Sequence, residues 1–186
     1  TFKVKVGSGL SEDILRITRV RKFAPDAKIR IDVNGSWSVK DAISNIRAIY
    51  GEVAGNFLEY VEQPVATLAE LKELKETLGI PVKIAVDELL RKSNDPLKLD
   101  LANAADILIL KVAPLGGIAK SLAIASHHNL PVVVSSALES AIGISHGLRL
   151  AAALPELNYA SGLATGKLFL KDVAKHEIKD GQMRVN

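Results

Sequence analysis

The chain contains no cysteine, so disulfides and thiolate metal sites are excluded and any bound metal must be held by oxygen or imidazole. Aromatic residues amount to only 4% while Ala, Leu, Ile and Val dominate, which suits buried parallel strands covered by helices and argues against an aromatic-rich sandwich. No run approaches the roughly 18 uninterrupted apolar residues of a membrane span. No secretory signal is expected in the opening TFKVKVG either, and a cytoplasmic location follows as the expectation. An excess of one charge sign is also missing: 24 basic and 21 acidic residues are interspersed along the chain, for a net charge of +3. No continuous basic face with stacking aromatics emerges, so neither nucleic acid nor a membrane is an expected partner.

What is present is a globular composition, 186 residues with 48% hydrophobic and 24% charged. Short β-rich runs at 1–6, 28–33, 57–61, 82–86, 106–110 and 131–135 alternate with helix-patterned segments, and a further strand is expected around Asn158 to Ser161. Ser38 precedes a stripe of Val39, Ala42, Ile43, Ile46, Ile49 and Tyr50, an N-cap followed by a helix, and Asp41 offers a weak capping-box variant. Leu68, Leu71, Leu74 and Leu78 form another stripe, which ends at Gly79, a left-handed cap position. Strand ends recur roughly every 25 residues, matching the βα unit of an eight-stranded TIM-type barrel of about 250 residues better than an open sheet. The fold class is therefore α/β, a (β/α) barrel incomplete at its N-terminus, with residues 1–170 as the barrel portion. The tail 171–186 has strand and turn character and is a candidate for return to a capping domain that these residues do not include.

Each of the apolar runs that matter ends in a charge: Lys3 and Lys5 in FKVKVG, Asp32 in IRIDVNG, Glu62 in YVEQP, Asp87 in IAVDE and Lys111 in ILILKVAP. In a parallel barrel the carboxyl ends of all strands open on one side, so Asp32, Glu62 and Asp87 are expected to converge. Convergent carboxylates repel unless a hard cation lies among them, and oxygen donors with open positions suit Mg²⁺, with Mn²⁺ as a substitute. Lys3 and Lys5 share one strand face. A lysine crowded by a metal and a second ammonium has its neutral form favoured and becomes a usable base.

Lys-x-Lys on one strand, Asp, Glu and Asp on the next three, and then Lys is similar to the muconate-lactonizing subgroup of the enolase superfamily. The match runs along nearly the whole chain. Further on, SSALESAIGISHGLRLAAALP and GLATGKLFLKDV resemble the o-succinylbenzoate synthases within that subgroup. The resemblance implies Asp32, Glu62 and Asp87 as ligands of Mg²⁺, with Lys5 and Lys111 as catalytic residues. The implied reaction is the syn dehydration of 2-succinyl-6-hydroxy-2,4-cyclohexadiene-1-carboxylate to o-succinylbenzoate in menaquinone synthesis. Lys5 would be the base and then the acid, Lys111 would stay cationic, and Lys3 would tune Lys5 and help hold the substrate carboxylate. Arg30 and Asn34, on the face of Asp32, are substrate or supporting candidates, while Ser135 and Ser136 stand open between substrate contact and helix capping. An N-succinylamino acid racemase would use the same metal and both lysines as bases. Pro114 stands where racemase-active relatives commonly carry Arg, which favours the dehydratase. A non-catalytic barrel piece is the alternative from another class. The histidines offer no competing site: His127 and His128 adjoin at a helix end, His146 lies in a helix and His176 in the tail, and none ends a strand.

Overall fold

The structure, a computed structural model, describes residues 1–185, Val53 and Ala54 by backbone alone. Its main elements, in chain order, are β1 (Phe2–Lys5), α1 (Leu10–Phe23), β2 (Ile29–Asp32), α2 (Val39–Ile49), β3 (Leu58–Glu62), α3 (Leu68–Thr77), β4 (Ile84–Val86), α4 (Glu88–Arg91), β5 (Ile107–Leu110), α5 (Ile118–His128), β6 (Val132–Val134) and α6 (Ala141–Ala153). All six strands expected from the apolar runs form where the runs lie. The chain divides into two compact units, the first comprising 1–93 and 99–107, the second 94–98 and the residues from Leu108 onward.

In the first unit β1 pairs with β2, β2 with β3 and β3 with β4, all parallel. Parallel strands are covered on both faces, and β2 and β4 are accordingly buried at every position. Ala42, Ile46 and Ile49 of α2 and Leu71 and Leu74 of α3 are fully buried, so the two predicted stripes are the faces that pack. Ser38 caps α2 by accepting from the Asp41 N–H at 3.1 Å, and its hydroxyl donates to the Asp41 carboxylate at 2.7 Å. The fuller cap lies on α3: Thr67 accepts from the Glu70 N–H while the Glu70 carboxylate accepts from the Thr67 N–H at 2.8 Å, a reciprocal capping box. Beyond the other end of α3, Gly79 has φ +68°, the left-handed conformation expected there. Arg47 reaches over from α2 and donates to the carbonyls of Thr77 and Leu78 that the helix leaves unpaired.

In the second unit β5 pairs with β6 in parallel, and Asn129 ends α5 in the left-handed conformation. Among the described residues no strand forms at Asn158 to Ser161. The expected strand is reduced to a single parallel bridge between Ser135 and Gly162, whose N–H and C=O bond to Val134 and Ser136. A Cβ at Gly162 would lie 2.9 Å from the Ser135 hydroxyl, so the close approach needs glycine and leaves no side chain to extend a strand. The tail is anchored on α6. Asp172 accepts from the Ala141 N–H at 2.8 Å, capping a helix whose own N-cap, Ser140, makes no side-chain bond. His176 lies 2.8 Å from the Ala141 carbonyl, and a short antiparallel bridge joins Lys179 to Gln182 around Asp180 and Gly181, both at positive φ.

Replacing Thr67 by Ala removes the acceptor for the Glu70 N–H and should cost about 1 kcal/mol. Denaturant unfolding should show a lowered midpoint with unchanged slope, and Thr67→Ser should recover most of the loss.

Candidate active site

Register brings the charged strand ends together. Lys3 pairs with Arg30 and Lys5 with Asp32 across β1 and β2, and Asp32 pairs with Glu62 across β2 and β3. Alternation then places Lys3, Lys5, Arg30, Asp32, Tyr60 and Glu62 on one face of the sheet. The contacts follow: Lys3 Nζ lies 2.7 Å from Glu62 Oε1 and 2.9 Å from Asp32 Oδ2, and Lys5 Nζ lies 2.5 Å from Asp32 Oδ2. Between Ile29 and Arg30 the register with β3 shifts by one residue, so Glu59 bulges out of the ladder. The bulge lets the Glu59 carboxylate meet the buried Arg30 guanidinium at 2.5 Å, and that guanidinium also lies 4.9 Å over the Tyr60 ring. Arg30 thus sits two residues below Asp32 in an ion pair of its own.

Asp32, Glu62 and Asp87 are buried to about the same degree, at 1%, 0% and 1% exposure. Burial alone would raise the Asp32 pKa, but Lys3 and Lys5 outweigh it and hold the carboxyl below its ordinary range. For Glu62 burial wins. Lys3 pulls its pKa down and Asp32 and Asp87 push it up, and the carboxyl stands at about 7. Burial works against the Lys3 ammonium, yet Glu62 and Asp32 raise its pKa above the usual value.

Around these lies a network that strand-end reasoning did not find. Lys5 Nζ donates to Asn34 Oδ1 at 2.6 Å, and Asn34 Nδ2 donates to Glu88 Oε1 at 3.1 Å. Arg91 Nη2 lies 2.6 Å from the same Glu88 oxygen, and Arg91 Nε lies 3.3 Å from Asp87 Oδ1. Against the effect of its burial, these bonds from Arg91 and Asn34 hold the Glu88 carboxyl below its ordinary pKa. Gln63, fully buried, donates to the Val65 carbonyl and accepts from the N–H groups of Asp87 and Leu89, which fixes the turn that carries Asp87. The Gln of EQP was legible only as part of a motif. Its double role appears once β3 and β4 are side by side.

In the second unit Lys111 follows β5 directly and is half-buried. Gly116 and Gly117 form the tight turn into α5 at φ +84° and +113°. Ser135 lies beside Gly162, and Ser136 donates to Glu139 while accepting from the Leu138 N–H and from Thr165. Ser136 therefore ties down its loop and does not cap α6, which begins after Ser140.

Asp32, Glu62 and Asp87 supply hard oxygen donors of the kind Mg²⁺ takes, and Glu62 Oε2 is buried without a hydrogen-bond partner, an acceptor ready for a cation. Among the described residues no three His, Cys, Asp or Glu side chains already form a cage for an ion. Lys3 and Arg91 occupy the carboxylates instead. By chemistry the donor set fits a divalent cation. No helix among the described residues is long and apolar enough to cross a membrane.

The family model described as "Enolase C-terminal domain-like" matches residues 1–186. The o-succinylbenzoate synthase of Mycolicibacterium smegmatis is 49% identical over 189 residues, covering 100% of this chain and 57% of that protein. The o-succinylbenzoate synthase of Mycobacterium tuberculosis H37Rv is 52% identical over 178 residues, covering 94% of this chain and 52% of that protein. The chain thus spans about half the length of the curated relatives it matches. Among solved structures, muconate lactonizing enzyme from Pseudomonas putida superposes with a TM-score of 0.86 at 23% identity, a likeness of fold, covering all of this chain and 52% of that one. Muconate cycloisomerase from Pseudomonas fluorescens gives 0.85 at 26% identity over the same shares.

Lys3→Met would leave Asp32 and Glu62 without their bridging cation. In the presence of a chelator the variant should lose about 2 kcal/mol of stability, less than a fully buried pair would, because a third of the Lys3 side chain is exposed. Added Mg²⁺ should restore a larger share of stability in the variant than in the parent, read from denaturant midpoints.

Proposed function

From the premise that the chain belongs to the enolase C-terminal domain-like family, we propose that the complete protein is a Mg²⁺-dependent o-succinylbenzoate synthase. It would dehydrate 2-succinyl-6-hydroxy-2,4-cyclohexadiene-1-carboxylate to o-succinylbenzoate, a step of menaquinone synthesis, in the cytoplasm. The observation that carries the reading is the Lys-x-Lys strand in register with two buried carboxylates, Lys5 against Asp32 and Lys3 against Glu62. Identity near 50% to o-succinylbenzoate synthases supports the choice of reaction within the family.

Asp32, Glu62 and Asp87 would hold Mg²⁺, or Mn²⁺ in its place. The ion supplies positive charge where negative charge develops as the proton next to the substrate carboxylate leaves. Lys5, neutral, takes that proton. As the ring C–O bond breaks, the Lys5 ammonium returns a proton to the departing hydroxide, which leaves as water. Lys3 keeps its ammonium against Glu62 and Asp32 and would help hold the substrate carboxylate. Asn34, hydrogen-bonded to Lys5, helps aim it. Lys111 would serve as a fixed cation for the intermediate and Ser135 and Ser136 as substrate contacts, while Arg30 supports the Asp32 face from below. The partner is a small carboxylate, and a capping domain elsewhere in the complete protein closes over it. No nucleic acid or membrane partner belongs to this reading.

In the complete protein, Lys5→Ala should lower the dehydration rate by about three orders of magnitude, the range of a lost general base. Lys111→Ala should also be severely impaired, but Lys111→Arg keeps the charge and should retain more activity, since guanidinium does not act as a base in proteins. Equal loss in Lys111→Ala and Lys111→Arg, together with racemisation of N-succinylamino acids by the parent, would mark a two-base racemase instead. A parent that turns over neither substrate with Mg²⁺ would be a non-catalytic barrel.

A further inference from the structure

Asp13 is a buried carboxylate, 1% exposed, that the chemistry above does not use. It lies on the first turn of α1, yet its side chain turns back onto the loop between β1 and α1. Asp13 Oδ2 accepts from the Gly7 N–H at 2.8 Å. One turn on, Arg16 Nη1 donates to the Lys5 carbonyl oxygen at 2.9 Å and lies 3.6 Å from Asp13 Oδ1. A closed circuit results, running from the Lys5 carbonyl through Arg16 and Asp13 to the Gly7 amide.

The two groups gripped flank Val6, where β1 ends. The ladder's last bond there runs from the Val6 N–H to the Asp32 carbonyl at 3.0 Å. Beyond it the ladder gives no further hold, and Gly7 and Gly9 take φ of +112° and +133°, which glycine adopts without penalty. Lys5 itself needs the restraint. Its side chain is 63% exposed, against 33% for Lys3, so less packing holds it. The Lys5 carbonyl and the Val6 N–H belong to one peptide group, held by Arg16 on one side and by Asp32 on the other, so the brace shares in fixing the backbone from which the Lys5 side chain leaves.

We propose that Asp13 and Arg16 are positioning residues for Lys5, an ion-paired brace on α1 that sets the aim of the candidate base from outside the site. The inference rests on the reading of Lys5 as the base. A 1 Å displacement of a reacting group costs about 100-fold in rate. In the complete protein with Mg²⁺, Asp13→Ala should therefore lower kcat by about 100-fold. KM and the Mg²⁺ dissociation constant should stay within about threefold of the parent, because the ligands on β2, β3 and β4 are untouched. Asp13→Asn keeps an acceptor for the Gly7 N–H and should recover most of the loss. Should Asp13→Ala fail to fold, Arg16→Met decides: Arg16 is partly exposed, and its loss should release the Lys5 carbonyl with the same separation of kcat from KM. The brace is overturned if kcat stays within threefold of the parent in the folded variants, or if KM and the Mg²⁺ dissociation constant rise by more than threefold as kcat falls. Lys5→Ala run alongside separates the two readings. Activity surviving that change removes Lys5 as the base, whereas its loss with unchanged kcat in the brace variants removes only the brace.

Discussion

Two ammonium groups on one strand hold two carboxylates that the sheet has buried, and much of the first unit answers to that constraint. Asp32 and Glu62 are at 1% and 0% exposure, where an uncompensated charge would cost several kcal/mol. Parallel register is what makes compensation possible, since it puts Lys3 and Lys5 opposite Arg30 and Asp32, and Asp32 opposite Glu62. Compensation is incomplete. Burial keeps the Glu62 pKa raised, and its Oε2 has no hydrogen-bond partner.

Asp87 answers to the same constraint by another route. Arg91 reaches it from one helical turn away, and its backbone is held by Gln63 from the neighbouring strand end. The arrangement explains why EQP and VDE belong together although 24 residues separate Gln63 from Asp87. Glu88 extends the web to Asn34 and so back to Lys5, which links the third carboxylate to the candidate base through side chains alone.

The strands were legible as short apolar runs, and the carboxylates because three of those runs end in one, local signals that need no knowledge of neighbours. The α2 cap at Ser38 and the left-handed Gly79 were legible for the same reason. The capping box of Thr67 and Glu70 is equally local, an N-cap threonine with a glutamate three residues on, just ahead of the leucine stripe. The strand expected at Asn158 to Ser161 did not form because propensity there is weak, and the bridge beside β6 falls at Gly162. What Asp13, Arg16, Gln63 and Glu88 do was not legible. Their roles depend on which backbone groups a loop or strand end presents to them, and charges on helices ordinarily face water.

The bulge at Glu59 has a bearing on how such a sheet accepts insertions and deletions. Its extra residue lies below the level at which Asp32 and Glu62 pair, and pairing resumes immediately above it at Arg30 and Tyr60. Deleting Glu59 would join Leu58 to Tyr60 and leave Asp32 still beside Glu62. The carboxylates above would stay in frame, but the buried Arg30 guanidinium would lose the Glu59 carboxylate, so the bulge and that ion pair are kept or lost together.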